Sequence, residues 1–496
     1  MKILLVTGKF AAEDVMRIAK QFKQHEIDVF VADVDVAAFV TTEHLKNLNL
    51  SDYDIVILPG NAKGNWRKLE EESGTKVRLG SVHAADLHHV IKNIERVELS
   101  HDIPACKLLA SIMAEDLINL VNSDSSGVKN PAFVGDVVIG EGRMKIVAEV
   151  VDAPEMDRDN LIERIEYYTE NGADVVDIGI PIECDAEKAV KAVKVALDVC
   201  DAVSVDTFNL SVIKKCVRAG VHMVMSVGRE NLKALEYIDS QAVVIVSRDV
   251  KDLNALVRLA RKMGRDNIIA DCILDAPLSL YASLSRYAEY RKIDDETPLL
   301  IGAGNVTELC DADSTGMNAL LAFLAEEIGA NAMFTTEASC KTLGSIKELK
   351  VASYMARAAK LRGSPPKDFG FNLLILKEKV RKRESLKFSK LVDAEEQKSF
   401  VKDPKGNFRI HVTGNSVLAI HESGIAIKGN AESISKTAIK LGLISRLDHA
   451  AYIGRELMKA EIAAKLGKSY VQDEDLNFGI FNYKLEWIKN KNRCKK

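Results

Sequence analysis

Eight short apolar runs fill the middle of the chain, and nearly all the freedom to choose a fold ends with them. They are KIVAEVV (145–151), DVVDIG (174–179), AVSVD (202–206), HMVMS (222–226), AVVIV (242–246), NIIAD (267–271), PLLIG (298–302) and NAMFT (331–335). Each is followed by a segment with helical apolar spacing, and the repeat of roughly 20 to 30 residues is that of strand–helix units. Continuous apolar strands of this kind are buried on both faces, as in parallel sheets covered by helices. Eight such units close into a (β/α)8 barrel, which leaves no open sheet edge. Glycines in NGAD, RAGVH and IGANA stand where the helices before the second, fourth and eighth strands must stop.

The flanks read differently. Residues 1–134 alternate strand and helix: KILLVTG, the helix pattern AAEDVMRIAKQF, then IDVFVADV and YDIVILPG. This is the pattern of a doubly wound α/β domain. Its glycines do not form GxGxxG, and PGNAKGNW (59–66) reads first as a turn and only second as a loop over an anion. The barrel domain is assigned to 135–362, opening with a hairpin around Gly140 in GDVVIGEG. A linker, 363–399, holds GSPPKD and the basic run LKEKVRKRESLKFSK, read as a solvated helix. Residues 400–496 form an α+β domain with alternating strands followed by two helices. The fold class expected is α/β: a central (β/α)8 barrel between an N-terminal doubly wound domain and a C-terminal α+β domain.

Composition narrows the function. With 496 residues and 47% hydrophobic content the chain can bury several cores. A net charge of −4 argues against general nucleic-acid binding. No apolar run reaches the roughly 18 residues of a membrane span. MKILLVTGKF reads as a strand, not a signal peptide, and the eight cysteines are scattered without a CxxC. They are read as reduced thiols, with cytoplasmic localisation and no zinc site.

In a barrel of this type chemistry sits at the C-terminal ends of the strands. A single acid there is an ordinary turn residue. Here the ends carry Glu149 and Asp152, Asp177, Asp206, Ser226, Asp271, Asn305, and Thr335, Thr336 and Glu337. Carboxylates brought this close repel, so a ligand is expected to separate them. Magnesium would ask for a phosphate site with Gly and Lys in the last two loops, which GAGNVTELCDADSTG and TTEASCKTLGS match weakly, so no metal is expected. A heterocycle with a guanidine-like N–H edge, such as a pterin, suits carboxylates and an amide better.

GADVVDIG (172–179) and VSVDTF (203–208) resemble the second- and third-strand motifs of dihydropteroate synthase and related pterin-binding barrels. IIADCILDAP (268–277) resembles their sixth-strand segment, and the whole chain resembles the archaeal dihydropteroate synthase-related proteins. The resemblance implies that Asp206 and Asp271 anchor a pterin, with Asp177, Ser226 and Asn305 completing its pocket. It also has gaps. MSVGREN puts Ser226 where the synthases carry Asn, with Asn231 further on. GAGNVTE lacks their seventh-strand Lys, and TTEASCKTLGS lacks the Arg-x-His that holds pyrophosphate, with Lys341 as a partial substitute. GAGNV is similar instead to pterin-dependent methyltransferases, which makes Asn305 the expected catalytic residue, polarising the ring at N5. IHVTGNSVLAIHESG (410–424) resembles a stretch of tetrahydromethanopterin S-methyltransferase, in the component that carries its corrinoid, which would make His411 a cobalt ligand. The helix in LDHAAYIGRELMKAEIAAKLGKSYVQDEDL (447–476), with Asp448, Arg455, Glu456 and Glu461, is expected to present an interface.

The implied activity is methyl or one-carbon transfer with a reduced pterin of the tetrahydromethanopterin or tetrahydrofolate type. The alternatives are synthase-type condensation with an arylamine, or a non-catalytic pterin-binding scaffold. The implied partners are the pterin and a corrinoid or methyl-acceptor protein, in a homo-oligomer with neither nucleic acid nor membrane span.

Overall fold

The computed structural model describes residues 1–379, 390–394 and 401–480. The chain divides into two compact units, Met1–Leu373 and the residues from Leu374 onward. Most of the basic run after the barrel lies outside the described residues.

The first unit begins with four parallel strands, β1 (Lys2–Thr7), β2 (Glu26–Val31), β3 (Ile55–Leu58) and β4 (Lys76–Leu79), in the order β2-β1-β3-β4. Period-two alternation sends Ile3, Leu5, Ile55 and Ile57 to one face and Leu4, Val6, Val56 and Leu58 to the other. Each set has its own core, one with Val15, Ile18 and Met113, the other with Leu45, Trp66 and Val77. That is the doubly wound arrangement. The PGNAKGNW segment works as a packing loop: the Gly60 amide donates to Ser81 O at 2.9 Å, and a Cβ at Gly60 would lie 2.7 Å from Gly80 O.

A hairpin follows, β5 (Gly127–Val134) and β6 (Val137–Glu141). Its turn is at Gly135 and Asp136, not around Gly140 as the sequence suggested. Gly135 takes φ +56, while Gly140 lies within β6, where a Cβ would press on Val128 and Pro131. Ala132, Val134 and Ile139 of the hairpin share a core with Val147, Val175, Met223, Val244, Ile269 and Leu300, which begin or lie early in the barrel strands and point inward. The hairpin therefore closes the base of the barrel.

The barrel strands are β7 (Lys145–Val150), β8 (Val175–Gly179), β9 (Val203–Asp206), β10 (Met223–Val227), β11 (Ala242–Val246), β12 (Ile268–Asp271), β13 (Leu300–Gly302) and β14 (Ala332–Thr336). All neighbours pair in parallel in the order β12-β11-β10-β9-β8-β7-β14-β13, and a parallel bridge between Ala270 and Leu299 joins the two remaining edges. Helices start at caps that the sequence supplies: Asp157, Asp185, Asn209 and Asp249 each accept amides of the first turn. The fourth unit departs from the pattern. Between β10 and β11 the chain makes only the 3-10 helix Leu232–Glu236, because few residues separate the two strands.

The second unit is an antiparallel meander, β15 (Phe408–Thr413), β16 (Ser416–His421) and β17 (Ala426–Gly429), covered by helices Ala431–Lys440 and Leu447–Lys465. Phe408, Ile410, Val417 and Ala419 pack against Ile434, Ala438, Ile453 and Leu457. Glu456 is not part of an outward interface. It is fully buried, accepting the Tyr470 hydroxyl at 2.8 Å and pairing with Lys459 at 2.8 Å. Among the described residues, no helix is long and apolar enough to cross a membrane, and no cysteine is in a disulfide.

Candidate active site at the barrel mouth

The inward register that begins with Val147, Val175 and Ile269 at the base reaches Glu149, Asp177 and Asp271 two residues later. Asp206 ends β9 two residues after Ser204 on the same face. The barrel thus turns apolar strands into acids at one end by alternation alone.

Three of these acids converge. One carboxylate oxygen from each of Glu149, Asp177 and Asp206 lies within 4.8 Å of the others. Asp177 is entirely buried and accepts the Ser204 hydroxyl on Oδ1, while its Oδ2 has no hydrogen-bond partner. The Ser226 side chain favours the charged form of Asp206. Gly179, at the end of β8, makes room for the third: a Cβ there would collide with Glu149 Oε1.

Burial and mutual repulsion hold these groups toward the neutral form. Burial, then the charges of Asp206, Glu308 and Asp152, push Glu149 up to about 7. Burial raises Asp177 well above the carboxylate range, with Asp206 and Glu149 adding to it. Asp206 is raised by burial, against the opposing effect of the Ser226 side chain. Asp271 is pushed up to about 6 by burial, against donation from the Tyr287 hydroxyl and from the Ile273 amide at 2.7 Å.

Ser226 stands at a break in the β10–β11 register between Val224 and Val227 and takes φ +60, which is rare for a non-glycine residue. Asn231 holds this bulge, donating to Ser226 O at 3.2 Å and accepting from the Gly228 amide at 2.8 Å. Asn305 is not at a strand end. It belongs to the single helical turn Gly304–Thr307, is exposed, and its amide donates to Leu274 O at 2.8 Å. Thr336 donates to Glu149 O at 3.1 Å. Thr335 and Glu337 leave the mouth: Thr335 is level with the outward Ala148, and Glu337 accepts from Tyr167 and the Ile346 amide. Lys341 is engaged by Asp311 at 2.9 Å and Glu308 O at 2.8 Å. His411 lies on the exposed face of β15, opposite Leu418, in the second unit. The contributions of Glu149, Ser204 and Gly179 to the convergent group were not evident as such in the sequence; the only signal was their place in the inward register.

A model for the pterin binding enzyme family matches residues 150–269, and one for a PterinBD-DUF4346 domain matches 402–473. An uncharacterised protein of Methanocaldococcus jannaschii is 37% identical over a 525-residue alignment, covering 96% of this chain and 99% of the relative. The chain belongs to the dihydropteroate synthase-related family of pterin-binding barrels. Among solved structures, dihydropteroate synthase from Thermus thermophilus in complex with 4-aminobenzoate has 17% identity and a TM-score of 0.36, covering 45% of this chain and 96% of that one. The Yersinia pestis enzyme with a sulfonamide drug has 17% identity and a TM-score of 0.38, covering 47% and 99%. The segment matched by the pterin-binding model contains Asp177, Asp206 and Ser226, with Asp271 just beyond it.

Proposed function

We propose that this pterin-binding barrel is a transferase that passes a methyl or other one-carbon group from a reduced pterin of the tetrahydromethanopterin or tetrahydrofolate type. Asp206 and Asp271 anchor the N–H edge of the ring, Asp177 and Ser226 order the pocket, and Asn305 polarises the ring nitrogen that loses the group. The observation that carries the choice of reaction is the state of the cations near the mouth. Arg229 is paired with Asp252, Arg248 and Arg286 with Asp275, and Lys341 with Asp311. Expelling pyrophosphate calls for concentrated positive charge, and each of these cations is already committed to an acid. Methyl transfer asks for orientation and a hydrogen bond to the ring instead.

The test offers the protein two substrate sets. With a methyl-tetrahydropterin and a cobalamin or thiol acceptor, demethylation is expected, and Asn305→Ala slows it by about 10²-fold. With a hydroxymethyl-dihydropterin pyrophosphate and an arylamine, no condensation is expected. Pyrophosphate release that needs both pterin and arylamine would overturn the choice in favour of the synthase reaction.

A further inference from the structure

We propose that this chain forms a symmetric dimer by pairing the outer edge of β2 with the same edge of a second copy, antiparallel and centred on Val29. In a parallel sheet, alternate residues of an edge strand turn their amide and carbonyl away from the neighbouring strand. The Glu26 amide donates to Met1 O at 3.0 Å and the Ala32 amide to Thr7 O at 2.9 Å, so the even-numbered residues of β2 face β1. Ile27, Val29 and Val31 therefore point their backbone groups outward, and among the described residues nothing takes them up. None of the residues of β2 is buried.

The opposite edge of the same sheet is treated differently. On β4 the outward Val77 amide donates to Glu70 Oε2 at 2.8 Å, and the outward Leu79 amide to Ser100 O at 2.9 Å. Lys76 and Arg78 add charge there. On β15 the Gln472 side chain accepts from the Ile410 amide at 3.1 Å and donates to Phe408 O at 3.1 Å, as a neighbouring strand would. A bare edge is a template for another strand, which is why edges are covered or charged. β2 has no such cover, and its sequence EIDVFV holds no Lys, Pro or Gly. Its Ile, Val and Phe favour strand pairing. Its two acids are already engaged, Glu26 by Lys2 at 3.3 Å and Asp28 by the Tyr53 hydroxyl at 2.9 Å.

The register follows from the groups that must meet. Only an odd-numbered centre brings the outward groups of the two copies together. Centring on Ile27 sets Glu26 opposite Asp28 of the second copy, acid against acid. Centring on Val31 carries Val29 and Ile27 past the end of β2, onto Asp33 and Asp35. Centring on Val29 sets that residue against itself and Ile27 against Val31, so every outward amide meets a carbonyl. Asp28 then lies opposite Phe30 and Glu26 opposite Ala32, so no acid directly faces an acid. The contact closes on a twofold axis, which stops growth at two copies and joins both four-stranded sheets into one. It uses no residue of the barrel mouth and stands independently of the proposed transfer.

The test uses the full chain without ligand. Sedimentation velocity over a concentration series is expected to show a monomer–dimer equilibrium. Val29→Pro removes an amide that faces solvent in the monomer, where an edge strand tolerates proline. It should weaken dimerisation about tenfold or more while circular dichroism stays native. Register is read with thiols. Directly opposed residues of a hydrogen-bonded antiparallel pair have Cα atoms about 5.5 Å apart, within disulfide reach. With diamide as oxidant, Val29→Cys should link the copies through that position, located by peptide mapping, whereas Ile27→Cys links only when mixed with Val31→Cys. The proposal is overturned by a wild type that stays monomeric throughout, by a dimer that Val29→Pro leaves unchanged, or by Ile27→Cys linking to itself as fast as Val29→Cys. Should Val29→Pro fail to fold, linking through Val29→Cys decides, and its absence overturns the pairing.

Discussion

Asp271 accepts the Tyr287 hydroxyl and the Ile273 amide on the same oxygen, Oδ1, and the Ser226 side chain favours the charged form of Asp206. Asp271 is therefore oriented from behind with its Oδ2 left as an acceptor for a ligand. We predict that Asp206→Ala and Asp271→Ala each weaken binding of a methyl-tetrahydropterin by about 1.5–3 kcal/mol, as for hydrogen bonds to a charged group. Calorimetry on variants with native circular dichroism checks this; equal affinity in both refutes the anchoring roles. The strand-end acids were legible in the sequence because alternation from an apolar strand fixes which face a residue takes. What alternation does not encode is which acids meet. Glu149 lies where a Cβ on residue 179 would press on its carboxylate, a three-dimensional coincidence of two strands. His411 follows the rule as well: Phe408 and Ile410 take the buried face of β15, so 411 falls on the open one.

At the scale of elements, the eight strands could be read directly, but their ends could not. β13 spans only Leu300–Gly302, so the chain has already turned into a helical turn at Asn305, and a three-residue strand carries too little pattern to show where it stops. The hairpin turn was misplaced for a similar reason: both Gly135 and Gly140 adopt positive φ, and only the pairing tells a turn from a strand irregularity. Asp174, just before β8, ties three elements at the base. Arg143 grips it with two bonds, at 2.6 and 2.9 Å, Lys350 of the helix Ser345–Arg362 adds one at 2.9 Å, and the Ile146 amide one at 2.8 Å. Burial alone would raise its pKa, but Arg143 and Lys350 prevail and hold it at about 2, below the ordinary 3.8. A depressed carboxylate stabilises the fold fully above its unfolded value and loses that contribution as pH falls through the folded one. About 2 kcal/mol is therefore expected to disappear between about pH 4 and pH 2. Denaturant titrations over this range should show the loss, and Asp174→Asn should flatten it; an unchanged slope would count against the assignment.

The whole molecule has two units with separate cores, so calorimetry of the full chain is expected to show two unfolding transitions. Asp403 offers a way to tell them apart. It accepts the amides of Lys405, Ser445 and Arg446 together with the Ser445 hydroxyl and His449, joining the start of the second unit to its last helix. Asp403→Ala should lower one transition and leave the other in place; a shift in both, or a single transition in the wild type, would contradict separate units. Changes in periodicity suggested flanking domains, but this carboxylate could not be read from the sequence, because Ser445, Arg446 and His449 lie more than 40 residues away. The hairpin beneath the barrel bears on kinetics. A vessel stoppered at its base has a single doorway. On the proposed transfer, a flat ring that settles on acids along the inner wall would go in first, and whatever takes its carbon would arrive behind it and depart before it. Initial-rate patterns should therefore be those of an ordered mechanism with the pterin as leading substrate and last product, and product inhibition by the demethylated pterin should be competitive with the methylated form alone.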